Sequence, residues 1–139
     1  MPAREGSVSN LTTVRAIYSA FGRGDVPTIL THLDEHVDWE YGAGTTSVPW
    51  LQHRHGRDGA AAFLASLQGL SITRFVPKAL MEGDGLVVAL IDLEATVTAT
   101  ERTIVEEDEV HIWYFNEAGR VSRFRHRVDT YQHVVACTA

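Results

Sequence analysis

The stretch E-V-H-I-W-Y-F-N-E-A-G-R-V-S-R-F-R-H-R-V-D, from Glu109 to Asp129, is the most informative part of the chain for the fold. Apolar and polar residues alternate on both sides of residues 116–119, which is typical of two antiparallel strands joined by a turn. Because successive side chains point to opposite faces of a strand, His111, Trp113 and His126 can share one face. Ionisable side chains that face a core need hydrogen-bond partners or a function. The hairpin therefore predicts both a sheet and a candidate site.

Alternation elsewhere in the second half predicts the rest of an antiparallel sheet. The predicted strands cover residues 71–80, 85–99, 102–115 and 120–132. The second of these has one wholly apolar face, which we expect to point into the core: Val87, Ala89, Ile91, Leu93, Ala95 and Val97. On its opposite face Leu86, Val88 and Leu90 are also apolar. This second apolar surface predicts a subunit contact and hence a homodimer.

The N-terminal part of the chain has the periodicity of an amphipathic helix. Apolar residues recur there at intervals of three and four: Val8, Leu11, Val14, Ile17, Tyr18 and Phe21. Ser7, Ser9 or Asn10 can serve as the N-cap, and Gly22 and Gly24 are expected to end the helix.

Two shorter helices and a strand are predicted next. Asp25 is expected to cap the second helix, which carries Pro27 in its first turn. This helix buries Val26, Ile29, Leu30 and Leu33. A brief strand follows at residues 37–41, and the third helix is expected to begin at Asp58 and end near Gly69. Three helices followed by a sheet indicate an α+β fold with the helices on one face of a curved sheet.

The segment from Gly42 to Arg57 is predicted to be a loop, and it carries Trp50, His53 and His55. Long loops in compact domains are uncommon unless they have a function, so this one is a candidate lid or pocket rim. The two histidines have an H-x-H spacing that can bind a metal. The sequence places no further ligand beside them, so no metal site is predicted.

Composition excludes several classes of function. The chain has 139 residues, which is about one domain, so a single domain over residues 1–139 is predicted. Its formal net charge is -6, with 12 Lys and Arg against 18 Asp and Glu, which argues against a nucleic-acid partner. No apolar stretch is long enough to span a membrane, and no apolar signal region is present. Cys137 is the only cysteine, which favours a reducing compartment, so a cytoplasmic location is predicted.

Four stretches together resemble one known superfamily. They are A-F-G-R-G-D-V at 20–26, L-D-E-H-V-D-W-E at 33–40, H-G-R-D-G-A-A-A-F at 55–63 and G-R-V-S-R-F-R-H-R-V-D-T at 119–130. The chain resembles the nuclear transport factor 2-like superfamily, and within it the SnoaL-like polyketide cyclases and ketosteroid isomerase-related proteins. This resemblance implies a cone-shaped, curved antiparallel sheet, mixed in part, with the three helices of the N-terminal half on its concave face. Such domains host isomerases, cyclases, hydrolases, dehydratases and non-catalytic binding modules.

The resemblance does not carry over the residues of the steroid isomerases. It places Tyr41 where those enzymes have their carboxylate base, and Ile17, next to Tyr18, where they have a tyrosine donor. It places His111 at the position of their protonated aspartic acid, so the isomerase set is absent. The cyclases instead have a histidine on one strand and an acid/base residue about fifteen positions later. Those places correspond here to His111 and to His126, or to Arg125 or Arg127 if a bulge shifts the alternation. The cyclases use an aspartate at the second place.

The side chains of Arg125, Arg127 and Asp129 leave two alternatives open. With His126 inward, strict alternation turns them outward as exposed charges that pair with Asp92, Glu94 or a partner subunit. A bulge in the strand would instead bring Arg127 and Asp129 inward, as an arginine and carboxylate pair does in the epoxide hydrolases of the superfamily.

The predicted site follows from these observations. His111, His126 and Tyr41 are the candidate catalytic residues. The candidate substrate-binding residues are Tyr18, Trp39, Trp50, His55, Phe63, Trp113, Phe124 and Arg127. The aromatic residues among them predict a mostly apolar pocket for a small apolar or aromatic ligand, with no cofactor.

Two hypotheses about function remain. In the first, the protein is a cofactor-independent enzyme of the cyclase, isomerase or hydratase type, in which His111 and His126 move protons on a hydrophobic carbonyl compound. Tyr41, Tyr18 or Trp113 would then donate hydrogen bonds to the developing negative charge on oxygen. In the second, it is a non-catalytic module that binds a ligand or forms a dimer.

Overall fold

A computed structural model describes residues 9–41 and 46–138 of the chain. The helices are α1 (Asn10–Gly22), α2 (Val26–Thr31), α3 (Gly56–Ser66), which continues into a 3₁₀ turn at Leu67–Gly69, and α4 (Thr130–Ala136). The strands are β1 (Leu33–Glu40), β2 (Arg54–His55), β3 (Leu70–Gly83), β4 (Leu86–Val97), β5 (Thr103–Phe115) and β6 (Val121–Arg127). None of the helices in these ranges is long and apolar enough to cross a membrane.

The six strands form one mixed sheet in the order β2-β1-β6-β5-β4-β3. β1 and β6 run parallel, and the other neighbouring strands pair antiparallel. Helices α1 and α3 pack on the sheet, and the predicted inward face of β4 is buried throughout. The α+β prediction, including the mixed sheet, is confirmed.

Side-chain caps begin the first two helices as the sequence predicts. Ser9 accepts a hydrogen bond from the backbone N–H of Thr12 and is the N-cap of α1. Of the two alternatives, Asn10 is the first residue of the helix, and Ser7, like the predicted apolar residue Val8, lies outside the described residues. Asp25 caps α2 by accepting from the backbone N–H of Thr28. These bonds satisfy backbone donors that have no partner within the helix, which fixes where each helix begins.

Three predicted boundaries were wrong. Leu33 begins β1 rather than closing α2, so this strand starts before the predicted segment at 37–41. The helix predicted from Asp58 begins at Gly56 instead. The last strand ends at Arg127 and not at residue 132, because Asp129 accepts a hydrogen bond from the N–H of Gln132 and caps a fourth helix.

A bulge in β5 changes which of its side chains point inward. The pairing of β4 with β5 shifts between Ile91 and Leu93, which lie opposite Glu109 and Glu106. Asp108 has a φ of 65°, in the left-handed region that few residues other than glycine adopt. Without the bulge, Glu106 and Glu109 would point to opposite faces, since they are three residues apart. Both are instead buried, at 6% and 7% exposure.

Candidate functional site

An apolar cavity lies between the helices and the sheet. About 80 Å³ of it is open to water-sized molecules, well above what a single water requires. The predicted residues that line the cavity are Tyr18, Trp39, Trp50, Phe63, His111, Trp113, Phe124 and His126. The aromatic rings pack closely against one another, with Trp39 stacked on Phe124 at a centroid distance of 4.3 Å. The walls therefore suit a flat, apolar ligand.

One wall of the cavity carries a chain of four hydrogen-bonded side chains. The indole N–H of Trp113 donates to the Tyr18 hydroxyl oxygen at 3.0 Å. That hydroxyl lies 2.7 Å from Nδ1 of His111, and Nε2 of His111 lies 2.6 Å from a carboxylate oxygen of Glu109. In a neutral imidazole, Nε2–H donates to Glu109 and the lone pair of Nδ1 accepts from Tyr18. A protonated His111 would donate from both nitrogens, so the chain can hold one additional proton.

The surroundings of this chain shift the pKa values of Tyr18 and Glu109, the two neighbours of His111 in it. Burial raises the pKa of the Tyr18 phenol above its ordinary value, so the hydroxyl keeps its proton. Burial alone would also raise the pKa of Glu109. The hydrogen bond and the electrostatic attraction of His111 outweigh burial and hold the pKa of this carboxyl below its ordinary value. His111 therefore lies between the protonated phenol of Tyr18 and the carboxylate of Glu109.

His126 lies directly opposite His111 across the β5–β6 pairing, with ring centroids 6.2 Å apart. It is 5% exposed, and burial, with a smaller contribution from the charge of His111, lowers its pKa to about 3. Within the described part of the chain, no side chain forms a hydrogen bond with its imidazole. His126 is therefore a neutral base at ordinary pH, with both ring nitrogens unengaged beside an apolar cavity.

A second hydrogen-bonded chain reaches the same cavity from α4. The indole N–H of Trp50 donates to Nδ1 of His133 at 2.9 Å, and Nε2 of His133 lies 2.9 Å from Oε1 of Glu106. Because an indole can only donate, Nδ1 must carry the lone pair, and the proton lies on Nε2 facing Glu106. Glu106 also accepts from the backbone N–H of Asp129 at 2.8 Å.

Sequence reasoning missed Glu106 and His133, for reasons that the fold makes clear. Alternation in β5 predicts an outward Glu106, and only the bulge turns it inward. His133 lies beyond the predicted end of the last strand, on the helix that Asp129 caps. The sequence does contain a signal for that helix, since an Asp followed by Thr130 and a run without glycine or proline is a typical helix start.

The spacing of these groups is also compatible with a metal ion. Ligand atoms of Glu109, His111 and His126 lie within 4.8 Å of one another, and so do those of Glu106, Glu109 and His133. A metal ligand must offer a lone pair, however. Both ring nitrogens of His111 are engaged, and Trp50 occupies the lone pair of His133. The arrangement of the described side chains is therefore more typical of a hydrogen-bonded network that carries protons than of a metal centre.

Three predicted site residues do not line the cavity. The hydroxyl of Tyr41 is hydrogen-bonded to the Thr130 side chain, although the Tyr41 ring lies beside His126. His55 is exposed and pairs with Asp38 at 2.9 Å, so it lies away from the cavity. Arg127 donates to the backbone oxygen of Tyr41 at 3.0 Å. The roles predicted for Tyr41, His55 and Arg127 stay predictions.

The charges near the end of β6 follow strict alternation rather than the inward alternative. Arg123 and Arg125 both pair with Glu40, at 3.1 Å and 3.2 Å, and not with Asp92 or Glu94. The reason is the parallel pairing of β6 with β1, which puts Glu40 beside Arg125. Asp129 caps α4. His53 is exposed, like His55, whereas Trp50 is buried against the cavity, so the loop contributes one aromatic wall.

Comparison with known proteins agrees with this fold. An NTF2-like protein of unknown function from Burkholderia pseudomallei is 28% identical over 96% of this chain and all of its own, with a TM-score of 0.82. TerC, crystallised with polyporic acid, is 25% identical over 88% of this chain and 92% of its own, with a TM-score of 0.73. A Pseudomonas putida protein provisionally named a polyketide cyclase shares the fold, at 19% identity over 95% of this chain and all of its own and a TM-score of 0.78.

The family assignment rests on sequence as well as on fold. No curated protein sequence is detectably similar to this chain. The family model of the SnoaL-like domain matches residues 14–124, a span that runs from Val14 of α1 to Phe124 of β6. Of the residues that line the cavity, only His126, Val128 and His133 lie beyond this span. The chain belongs to the SnoaL-like domain family.

Proposed function

We propose that the protein is a cofactor-independent acid/base enzyme, of the cyclase, isomerase or hydratase type, that acts on a small hydrophobic carbonyl compound. The observation that carries this proposal is the position of His126. It is a neutral imidazole with no partner among the described side chains, and it lies beside His111 of the Tyr18–His111–Glu109 chain in the wall of an apolar cavity. That arrangement supplies a base and a hydrogen-bond donor to one ligand in the cavity.

Cyclisation and isomerisation share a first step that this arrangement can perform, and the dehydration direction of a hydratase begins with the same step. A ring nitrogen of His126 takes a proton from the carbon next to the carbonyl; the C–H bond breaks, and its electron pair moves into an enolate. When His111 is protonated, its Nδ1–H donates to the Tyr18 oxygen, and the Tyr18 hydroxyl proton is then available to donate to the enolate oxygen. The imidazolium formed at His126 is stabilised by Glu109, which attracts it electrostatically. Return of that proton to another atom of the ligand completes an isomerisation.

The alternative is a non-catalytic module that holds a ligand in the same cavity. Both proposals expect binding, and the crystallisation of TerC with polyporic acid supports ligand binding in this fold. Only the enzyme proposal expects His126 to remove a proton from the ligand. The two are therefore separated by an experiment that detects proton removal without knowledge of the final product.

Hydrogen exchange in D₂O provides that experiment. Aromatic ketones and lactones that bind are incubated with the protein, and the loss of the hydrogen next to the carbonyl is followed by NMR. We expect the protein to accelerate exchange, and His126→Gln to abolish the acceleration while binding persists. His53→Gln, at an exposed position, is the matched control. Binding without accelerated exchange by the wild-type protein would favour the non-catalytic module.

We further propose that the protein is a homodimer that buries the outer face of the sheet. Met81, Val88 and Ile112 are direct neighbours across β3, β4 and β5 on this face, and Met81 is 50% exposed. Removal of such a surface from water favours association of two copies. Val88→Glu is expected to give a folded monomer by light scattering. Glu107→Gln, also on the outer face, is the control, and a monomeric wild-type protein would contradict the proposal.

A further inference from the structure

The bulge in β5 places two carboxylates side by side in the interior. One oxygen each of Glu106 and Glu109 and a ring nitrogen of His133 all lie within 4.8 Å of one another. Asp108 adopts its left-handed conformation at the bulge that makes this possible. Two negative groups so close together, and so well buried, are costly unless the fold is organised around them.

The cavity contains little positive charge to balance this pair. No lysine or arginine is found among the described residues that line it. Trp50 fixes His133 in its neutral form, because a protonated Nδ1 could not accept the indole N–H. Burial keeps His126 neutral as well, with a pKa of about 3. His111 is the one remaining imidazole of the wall, and its Nε2 already hydrogen-bonds Glu109.

From this arrangement we infer that Glu109, which lines the cavity, and Glu106 beside it make the cavity select uncharged ligands and reject anionic ones of the same shape. A carboxylate or enolate that enters as a preformed anion would lie near these carboxylates in an apolar space. No lysine or arginine of the lining can pair with it, and His111 is already held by Glu109. A neutral ketone, ester or lactone has no such cost, and it can accept the hydrogen bond of Tyr18 when protonated His111 donates Nδ1–H to the Tyr18 oxygen. The inference rests on the proposed function only in taking this cavity as the ligand site.

The test compares ligands that share a carbon skeleton and differ in charge. The probes are acetophenone against benzoate and 2-acetylnaphthalene against 2-naphthoate, with affinity measured near neutral pH by NMR titration of the whole protein. We expect each ketone to bind at least about tenfold more tightly than its carboxylate partner.

Two variants assign the selectivity to the inward carboxylates. Glu106→Gln keeps the acceptor oxygen for Asp129 and His133 but removes one charge. We therefore expect the ratio of ketone affinity to carboxylate affinity to fall several-fold in each ligand pair. Glu107→Gln removes the same charge from the next residue, which is exposed on the outer face, and is expected to leave the difference unchanged.

Three results would overturn the inference: carboxylates that bind as tightly as the ketones, failure of both classes to bind, or an equal effect of the two variants. Because only affinity is measured, this outcome is separate from that of the proposed function. A protein that discriminates by charge but does not accelerate hydrogen exchange would retain the inference and lose the enzyme proposal.

Discussion

Lys78 lies 2.6 Å from Asp108, with its Nζ against Oδ1, on the outer face of the sheet behind the bulge of β5. The same Nζ lies 2.8 Å from Oδ1 of Asp92, which also accepts the backbone N–H of Asp108 at 3.2 Å. The hydrogen bonds to the two carboxylates raise the pKa of Lys78, so the ammonium stays charged. The only lysine of the chain thus holds the residue whose left-handed conformation turns Glu106 inward.

Lys78→Met is therefore expected to reduce the ketone-over-carboxylate selectivity of the cavity several-fold while the protein stays folded. The loss of an exposed ion pair has little effect on overall stability, but it releases the bulge. Arg74→Met is the control, since Arg74 is on the same strand and its nearest approach to Asp92 is 3.8 Å. A combined Lys78→Met and Glu106→Gln variant should lose no more selectivity than Glu106→Gln alone. If the losses of selectivity from the two substitutions add, Lys78 affects selectivity in some way other than through the position of Glu106.

Tyr18→Phe is expected to lower the free energy of unfolding by about 1–3 kcal/mol, because it leaves the Trp113 N–H and Nδ1 of His111 without their partner inside the protein. Urea denaturation near neutral pH provides the measurement. Tyr131→Phe removes the same hydroxyl at a position that is 79% exposed and should change little. Equal effects of the two substitutions would contradict the hydrogen-bonded chain.

The same tyrosine predicts a loss of stability in alkali. Its pKa is raised in the folded protein above the value of 10.0 that it has when unfolded, so the unfolded state loses the proton first. The contribution of Tyr18 is complete below pH 10 and declines as pH rises above it. Tyr18→Phe should therefore remove part of the alkaline dependence seen in denaturation at a series of pH values. If Tyr18→Phe leaves the loss of stability above pH 10 unchanged, the phenol of Tyr18 is in contact with solvent in the folded protein.

His126 predicts a loss of stability in acid. Its pKa falls from 6.5 when unfolded to about 3 when folded, chiefly through burial, with a smaller contribution from the charge of His111, which Glu109 opposes. The unfolded state then binds the additional proton between these values, so stability is complete above pH 6.5 and declines as pH falls towards 3. His126→Gln should flatten this decline by an amount on the order of a few kcal/mol. His36→Gln, at an exposed position, is the control. If His126→Gln leaves the fall of the unfolding free energy between pH 6.5 and 3 unchanged, His126 is not a neutral, buried imidazole.

The parts of this fold and site that the sequence could predict depend on residues that are close together in the chain. Alternation placed His111, Trp113 and His126 on one face, because nothing interrupts the β5–β6 pairing between His111 and Tyr114. The first two helices have side-chain caps that lie within four residues of their partners. Such features depend on neighbours in the sequence, so they can be recognised without the fold.

What the sequence could not predict depends on contacts between distant segments. The inward position of Glu106 needs the bulge, which Lys78 and Asp92 hold from two other strands. The partner of His133 is Trp50, which is 83 residues away in the chain. The hydroxyl of Tyr41 is hydrogen-bonded to Thr130, on a helix that alternation does not predict.

Trp50 and His133 provide the last prediction, since their hydrogen bond fixes both the loop and the charge of the cavity wall. We expect NMR of the imidazole nitrogens to find His133 neutral, with its proton on Nε2. Trp50→Phe removes the donor, so His133 should lose this single tautomer and the free energy of unfolding should fall by about 1–3 kcal/mol beyond the loss of packing.

Trp39→Phe measures the loss of packing separately. Trp39 is buried to a similar degree, at 2% exposure against 4% for Trp50, and its indole N–H has no hydrogen-bond partner among the described residues. Its replacement therefore removes ring volume but no hydrogen bond. A larger destabilisation by Trp50→Phe, accompanied by the change at His133, would support the bond as the link between loop and helix. Equal destabilisation, with the tautomer of His133 unaltered, would show that Glu106 alone orients this histidine.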